Sequence, residues 1–447
     1  MPLGEAGLAL VQIFRAVVAA LGLRRSEPTK DEHLADVVDQ LVERRVTAEI
    51  DSGIRIRDLE TENTELKAQL ASGLSRLASG EGLEEVAPQS ERDAARRLVE
   101  QGHPERAVDL LEAGAEHSDA LENLLAAGAL AYLYDTERAR GLFERATQLA
   151  PRDPRGWNLL GHVLLRLGLL PDAQAVYEQV LVLGESSGAQ DVIAIATGNL
   201  GLIYWTRGDF DQAETMLNKA LAINEELGRK EGIANAYGNL GNIYITQGDL
   251  DQAETMLNKA LIINEELGRK EGMANAYGNL GLIYRTRGDL DRAETMHNKA
   301  LAIDEELGRK EGIASDYGNL GLIYITQGDL DQAETMLNKA LVINEELGHK
   351  EGMENAYGNL GNIYRTRGDL DRAETTHNKA LAIDEELGRK EGIASDYGNL
   401  GNIYSTRGDL VAARSAYETA LDLFETIGAA PQVAQTRWLL QSLDGDE

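Results

Sequence analysis

The sequence predicts an all-α protein, a right-handed α-solenoid of about nine helical hairpins with a C-terminal capping helix, preceded by an N-terminal helical and coiled-coil segment. Three observations predict this class. A forty-residue block recurs almost verbatim between Gly198 and Leu410. Apolar residues within it recur at intervals of three and four, which is the helical period. A Gly-Asp pair divides each block once, and a fixed period of this length is typical of stacked repeats.

Each block divides into two predicted helices with separate apolar faces. In one copy the first face is expected to point into the hairpin and consists of Tyr237, Leu240, Gly241 and Tyr244. The second face consists of Leu250, Ala253, Leu257, Ala260 and Leu261. Small residues should fall where the backbones approach most closely, so we expect Gly241 to face Ala253 and Leu257 to fill the space beside them.

Turn residues separate the two helices. Gly248 can end the first helix in the left-handed conformation, and Asp249 can cap the second. Gln252 is three residues further on, which is the capping-box position. Gly268 is expected to end the second helix.

This spacing of residues resembles the tetratricopeptide repeat (TPR), and an earlier unit matches that pattern most literally through Trp157, Leu160, Gly161, Leu164, Ala173 and Tyr177. Over about residues 192–428 the forty-residue blocks resemble the repeats of the Pins/LGN family and, less closely, those of kinesin light chains. The resemblance implies a peptide-binding adaptor that holds an extended partner in a concave groove. The chain lacks the downstream G-protein-binding segments of the Pins family, so only the groove chemistry carries over.

Six segments are predicted along the chain. They are an N-terminal helical segment (1–53), a short coiled coil (54–78), a linker (79–90), degenerate and standard-length TPR units (91–190), the forty-residue array (191–428), and a capping helix with a tail (429–447). In the capping helix, Trp438 and Leu439 are expected to cover the last exposed core face.

The segment before the repeats allows two further interpretations. Residues 8–23 are apolar but short for a membrane span and contain Arg15 at their centre, so membrane contact is not favoured over docking on protein. We therefore expect a cytoplasmic protein. Residues 54–78 carry heptad-like leucines, which fit either a homodimeric coiled coil or a single solvated helix.

Composition and motifs favour no catalytic class. The formal charge of −31 opposes binding to nucleic acid, and the chain has no cysteine. His297 and His377 replace Leu257 and Leu337 and are expected to be tolerated, partly buried rings. The acidic run at Asp304 is expected to be a solvated face, and the repeated Gly-Asp-Leu-Asp fits helix capping better than calcium binding. We expect neither enzymatic activity nor a cofactor or metal.

The candidate binding residues lie on the first helix of each block. One row of asparagines comprises Asn199, Asn239, Asn279, Asn319, Asn359 and Asn399, and a second comprises Asn242, Asn362 and Asn402. An amide both donates and accepts hydrogen bonds, so such a row can pair with the backbone of an extended peptide. The alternative is that each asparagine bonds to the adjacent repeat and only fixes the packing.

A second pattern is superimposed on these rows. At one position per block the residues are Trp205, Ile245, Arg285, Ile325, Arg365 and Ser405. Close by, Gln247 and Gln327 alternate with Arg287, Arg367 and Arg407. Tandem duplication of an eighty-residue unit explains the alternation, and its consequence is a series of apolar and basic patches. We hypothesise a peptide partner with alternating apolar and acidic anchors, in which Arg285 and Arg365 contact carboxylates.

These patterns predict a non-enzymatic adaptor that binds an extended peptide or a partner protein in the concave groove. The alternative is a self-assembling or membrane-tethered scaffold that uses the N-terminal helix and coiled coil. A third interpretation, an accessory sensor subunit for a separate effector, is not distinguished from the first by the sequence.

Overall fold

The computed structural model describes residues 94–95, 98–99, 103–114 and 120–444. The predicted N-terminal helix at 8–23, the coiled coil at 54–78 and the linker at 79–90 lie outside the described residues. Eighteen helices follow one another from Pro104 to Asp444, and the described residues contain no strand. The predicted all-α class of stacked helical hairpins is thereby confirmed.

The chain forms two compact units that divide after Ile283. The helices of the first unit are α1 (Pro104–Ala113), α2 (Ala120–Ala131), α3 (Thr136–Leu149), α4 (Pro154–Arg166), α5 (Leu170–Ser187), α6 (Gln190–Thr206), α7 (Phe210–Glu226), α8 (Lys230–Gln247) and α9 (Leu250–Leu267). The boundary falls within α10 (Lys270–Thr286). The hairpins α2/α3, α4/α5, α6/α7 and α8/α9 pack in series, and α1 packs against α2.

The second unit continues the same architecture. Its helices are α11 (Leu290–Leu307), α12 (Lys310–Gln327), α13 (Leu330–Glu346), α14 (Lys350–Thr366), α15 (Leu370–Leu387), α16 (Lys390–Arg407), α17 (Leu410–Ile427) and α18 (Ala430–Asp444). Each packs against the next along the chain. We call the even-numbered helices from α2 to α16 the A helices and the odd-numbered helices from α3 to α17 the B helices.

The turn between the helices of a hairpin has the predicted chemistry. Gly248 ends α8 with φ 81°, and the N–H of Asp249 donates to the carbonyl of Tyr244 at 2.9 Å. The carboxylate of Asp249 accepts from the Gln252 N–H at 3.1 Å and caps α9. Because the Asp249 N–H is already committed, Gln252 donates its side-chain amide to Asp249 Oδ2 at 2.7 Å and does not complete a capping box.

Close approach within the hairpin depends on a glycine in each A helix. A Cβ on Gly241 would lie 2.7 Å from Leu257 Cγ, so only glycine fits, and Ala253 beside it is fully buried. Tyr244 is 7 % exposed, as predicted, and its hydroxyl donates to Glu214 on α7 at 2.7 Å. Tyr237 is half-buried: Lys259 of the same hairpin lies 4.9 Å from its ring centroid, and its hydroxyl donates to Glu225 at 3.1 Å.

The C-terminal cap forms, but not through the predicted tryptophan. Leu443 is 4 % exposed and packs with Ala413 and Tyr417, and Leu439 is half-buried against the same cluster. Trp438 is 64 % exposed, because it lies on the opposite face of α18. The expectation that Trp438 covers the core is therefore wrong.

The two histidines at packing positions are fully buried and not partly buried as expected. His297 Nδ1 lies 2.9 Å from Asp316 Oδ1, and His377 Nδ1 lies 3.2 Å from Asp396 Oδ1. Each aspartate belongs to the A helix that follows, so the ring is held by the next hairpin. A polar pair thus occupies a position that other repeats fill with a leucine and an alanine.

The expectation that Asp304 belongs to a solvated face is also wrong. Its side chain is buried, and its Oδ1 lies 3.2 Å from Nη1 of the equally buried Arg309. Glu305 and Glu306, which follow it, are exposed as expected.

Candidate functional site

In each unit the A helices form an inner layer. Consecutive A helices contact one another directly, as α6 does with α8 in the first unit and α14 does with α12 and α16 in the second. The side of the A helices turned away from the B helices is a strip of mostly half-buried residues in each unit, although Ser315, Asn355 and Ser395 are exposed. We call this strip the inner face, formed in each repeat by the residues equivalent to Asn235, Gly238, Asn239, Asn242 and Ile245.

The inner face carries a second class of glycine. Nothing lies within 4 Å of the position a Cβ would take on Gly198, Gly238, Gly278, Gly318 or Gly398. These glycines therefore serve no packing need within the described structure, unlike Gly241. A glycine inside a helix costs about 0.5–1 kcal/mol relative to alanine. The strip is thus left bare at some expense of stability.

The asparagine row shows both of the roles that the sequence left open. Asn199, Asn319 and Asn359 donate to carbonyls one turn earlier in their own helices. Asn279 instead donates to Asn242 Oδ1 on the preceding A helix at 2.9 Å, so this amide does link adjacent repeats. Where the bond is intrahelical, the side-chain oxygen stays available on the inner face.

In the second row, Asn402 Oδ1 accepts from the Tyr417 hydroxyl at 2.8 Å, which ties it to the terminal hairpin. Asn239, Asn362 and Asn399 are half-buried on the same strip. The structure therefore places every predicted asparagine on the inner face, although their bonding differs from copy to copy.

The residues of the alternating pattern also lie on this face. Trp205 and Ile245 are half-buried in the first unit, and Arg285, Ile325, Arg365 and Ser405 are half-buried in the second. The Nε atoms of Arg285 and Arg365 are buried and have no hydrogen-bond partner among the described residues. Neither guanidinium forms an ion pair with any described carboxylate, although the protein carries a formal charge of −31.

The neighbouring arginines behave differently. Arg367 pairs with Asp331 at 2.5 Å and with Glu334, both on the preceding B helix α13. Arg407 pairs with Asp371 at 2.8 Å and Glu374 at 2.6 Å on α15. These arginines hold hairpins together and are not groove cations, so only one of the two arginine rows seen in the sequence is available for a partner.

Sequence reasoning missed an acidic cluster at one end of this strip. Glu354 on α14 stands where Ala274, Ala314 and Ala394 stand in other copies. Its Oε2 accepts from Arg389 Nη1 at 3.2 Å, and its side chain is 14 % exposed. The only signal in the sequence was this single departure from alanine.

Arg389 lies near two carboxylates, those of Glu354 and Asp384. In the earlier copy the equivalent Arg309 pairs with Asp304. Arg389 lies 3.4 Å from Asp384 Oδ1, and both oxygens of the fully buried Asp384 lack a hydrogen-bond partner among the described residues. Burial, together with the charges of Asp384 and Asp396, raises the pKa of Glu354 to about 7, against the opposing effect of Arg389. Burial likewise raises the pKa of Asp384.

Two other kinds of site are absent from the described ranges. The described residues contain no group of three or more His, Asp or Glu side chains arranged to hold a metal ion. Within the same ranges no helix is both long enough and apolar enough to cross a membrane.

The repeats match a known family over more than half of the chain. The tetratricopeptide-repeat model matches residues 154–226, 232–306, 273–346, 313–386 and 352–426. The chain belongs to the tetratricopeptide-repeat family. Each matched stretch covers about two hairpins, so the TPR solenoid predicted from the glycine and alanine spacing is confirmed. No curated protein sequence matches the chain.

The chain is also similar to several solved structures. A signal transduction ATPase with a tetratricopeptide repeat sensor from Pyrococcus horikoshii aligns with 93 % of this chain and 66 % of its own, at 15 % identity and a TM-score of 0.58. BtubC (BKLC) from P. vanneervenii aligns with 49 % of this chain and 91 % of its own, at 26 % identity and a TM-score of 0.44.

A Podosopora anserina protein described as a kinesin light chain with nearly identical TPR-like repeats aligns with 43 % of this chain and 95 % of its own, at 19 % identity and a TM-score of 0.37. The resemblance to the Pins/LGN family stays a prediction.

Proposed function

We propose that this TPR protein is a non-catalytic adaptor whose inner face holds an extended segment of a partner protein. Tetratricopeptide repeats are typically protein interaction modules, and solenoids of this kind bind along extended surfaces. The observation that carries the proposal is the inner face of the second unit, where two arginines without an ion pair among the described residues alternate with an apolar residue beside bare glycines.

The glycines support an extended backbone as the occupant. A Cβ on Gly318 or Gly398 would meet no described atom within 4 Å, so there is room on the helix surface for a group that comes from outside. A partner backbone that lies directly on the helix needs such gaps. Asparagine side chains next to each gap, at Asn319 and Asn399, can then bond to that backbone without selecting a sequence.

The arginines support a partner with carboxylates. A buried Nε–H without an acceptor costs about 1–3 kcal/mol, and more for a charged group, which a bound carboxylate would recover. Arg285 and Arg365 both carry such an Nε–H. A guanidinium binds a carboxylate through two parallel hydrogen bonds, which adds geometric specificity to charge.

The experiment compares capture of partner proteins from the native host by the wild type and by the double variant Arg285→Glu with Arg365→Glu. We expect the reversal to abolish capture of a specific partner. The matched control reverses the same number of charges at the starts of two A helices, Lys310→Glu and Lys390→Glu, where acidic residues are favoured. Equal capture by the wild type and both variants would contradict the proposal.

The alternative is a scaffold assembled through the segment before the repeats. Deletion of residues 1–85 separates the two functions. An adaptor keeps its partner after this deletion, whereas a scaffold loses a defined oligomer that exists without any partner. Light scattering coupled to size-exclusion chromatography measures the oligomer, and the capture experiment measures the partner.

A further inference from the structure

One position of the A helix holds a basic, an apolar and again a basic residue in three successive repeats of the second unit. Arg285, Ile325 and Arg365 are forty residues apart, and Ser405 follows at the same spacing. We infer that the inner face of the second unit reads an extended segment with an acidic residue, an apolar residue and a second acidic residue, each three positions after the last. This inference rests on the proposed function and adds the order and spacing of the anchors.

The apolar subsite is formed by one helical face. Leu322 and Ile325 are three residues apart on α12, so both lie on the inner face, and Ile325 packs against the buried cluster around Leu320 and Tyr324. On α14 the equivalent residues are Asn362 and Arg365, which are polar. On α10 the pair is Leu282 and Arg285, so only the second of the two positions alternates between basic and apolar.

The charged subsites are separate from the ion pairs that hold the repeats together. Arg367 already has two carboxylates on α13, whereas Arg365, two residues earlier, has none among the described residues. On α16 the equivalent position is Ser405, next to Asn402, whose oxygen is occupied by Tyr417. The basic positions thus end at α14. The acidic residue that faces Arg365 is therefore the last charged anchor of the bound segment.

Helix geometry sets the distance between anchors. Packed helices lie about 8–10 Å apart, and the A helices α12 and α14 contact each other directly. An extended chain advances about 3.2–3.4 Å per residue, so three residues span one helix spacing. The two acidic anchors are then six residues apart, with the apolar anchor midway. A helical segment advances only about 1.5 Å per residue and would need about six residues per spacing.

The negative charge of the protein limits which contacts can provide affinity for an acidic segment. With a formal charge of −31, the chain repels an acidic segment at long range, so affinity must come from contacts at the arginines themselves. Charges farther apart than about 8 Å are screened at physiological ionic strength, which confines the attraction to the anchors. Acidic residues elsewhere in the segment should therefore weaken binding.

The test measures fluorescence anisotropy of synthetic peptides with the full chain. The peptide Glu-x-x-Leu-x-x-Glu, with serine and alanine as spacers, is compared with versions that have one or three spacers and with a version in which lysine replaces both glutamates. We expect the two-spacer peptide to bind at least tenfold more tightly than each of the others. Equal affinity across the spacings, or the absence of binding by any of these peptides, would overturn the inference.

A second experiment reverses the charges of the two arginines. The R285E/R365E variant should lose the glutamate peptide and gain the lysine peptide of the same spacing, whereas Ile325→Asp should lose both. Failure of this exchange overturns the inference even if the glutamate peptide binds the wild type. The adaptor function fails separately, when partner capture from the host is unaffected by R285E/R365E. Capture that is lost on reversal, together with peptides that bind regardless of spacing, would keep the adaptor and reject the anchor spacing.

Discussion

His377 Nδ1 lies 3.2 Å from Asp396 Oδ1, and both side chains are buried at the junction of α15 with α16. Forty residues earlier the same two positions hold Leu337 and Ala356, which share an apolar cluster. The protein therefore contains two solutions to one packing problem, a polar pair and an apolar pair, in adjacent repeats.

A double-mutant cycle tests the coupling between His377 and Asp396. The equivalent residues of the neighbouring repeat, Leu337 and Ala356, define the substitutions. His377→Leu or Asp396→Ala alone leaves a buried partner without its hydrogen bond, and each should lower the free energy of unfolding by about 3 kcal/mol. The double variant reproduces Leu337 with Ala356 and should return to within about 1 kcal/mol of the wild type or exceed it. Hydrogen exchange at α15 and α16 measures the effect, because long repeat arrays need not unfold in two states. Additive losses in the double variant would contradict the coupling.

Glu354 predicts a loss of stability as the pH rises through neutrality. Its pKa in the folded protein is raised from the ordinary 4.5 to about 7, so between these values the folded state binds more protons than the unfolded state. The stabilisation is fully present below pH 4.5 and is lost as the pH rises through 7, with a slope of at most about 1.4 kcal/mol per pH unit.

The measurement is urea unfolding of the second unit at pH 6 and pH 8. Glu354→Ala, which restores the residue present at Ala314 and Ala394, should flatten the difference, and Glu354→Gln should do the same. Glu391→Gln removes a charge from the exposed start of α16 and should leave the slope unchanged. A slope that persists in both Glu354 variants would show that other groups cause it.

The sequence predicted those features that depend on neighbours along the chain. Gly248 and Asp249 determine the turn through contacts within a few residues, and the Gly241–Leu257 contact lies within one hairpin. The partner of His377 is nineteen residues away on the next hairpin, and a histidine alone does not indicate what faces it. The pair was nevertheless encoded, because aspartate replaces alanine nineteen residues after each histidine that replaces leucine.

Helical periodicity predicted which side chains lie near one another on the A helices, but not which partners they bond to. Helical periodicity placed Arg365 and Arg367 near the same surface. The structure separates them, because Arg367 turns to Asp331 and Glu334 on the preceding hairpin while Arg365 stays unpaired among the described residues. Which of two nearby arginines is free depends on the lateral position of the next helix, which no local pattern contains.

Two glycines three residues apart on α12 predict opposite effects of the same substitution. A Cβ on Gly321 would lie 2.8 Å from Leu337 Cγ, so Gly321→Ala should destabilise the second unit by about 1–3 kcal/mol through overpacking. Gly318 faces open space, so Gly318→Ala should stabilise it by about 0.5–1 kcal/mol.

Thermal unfolding of both variants checks these signs, and partner capture checks the role of the gap. If a partner backbone lies on the inner face, Gly318→Ala should weaken capture although the protein is more stable. A more stable variant with unchanged capture would indicate that the bare glycines do not contact the partner.

The last helix predicts unequal effects of removing two large apolar side chains. Leu443 is 4 % exposed and packs with Ala413 and Tyr417, so Leu443→Ala should cost about 2–4 kcal/mol. Trp438 is 64 % exposed, so Trp438→Ala should change stability by less than about 0.5 kcal/mol. Hydrogen exchange in α18 and α17 measures both, since loss of the cap opens this end of the second unit first. The reverse order would contradict the assignment of Leu443, and not Trp438, to the terminal core face.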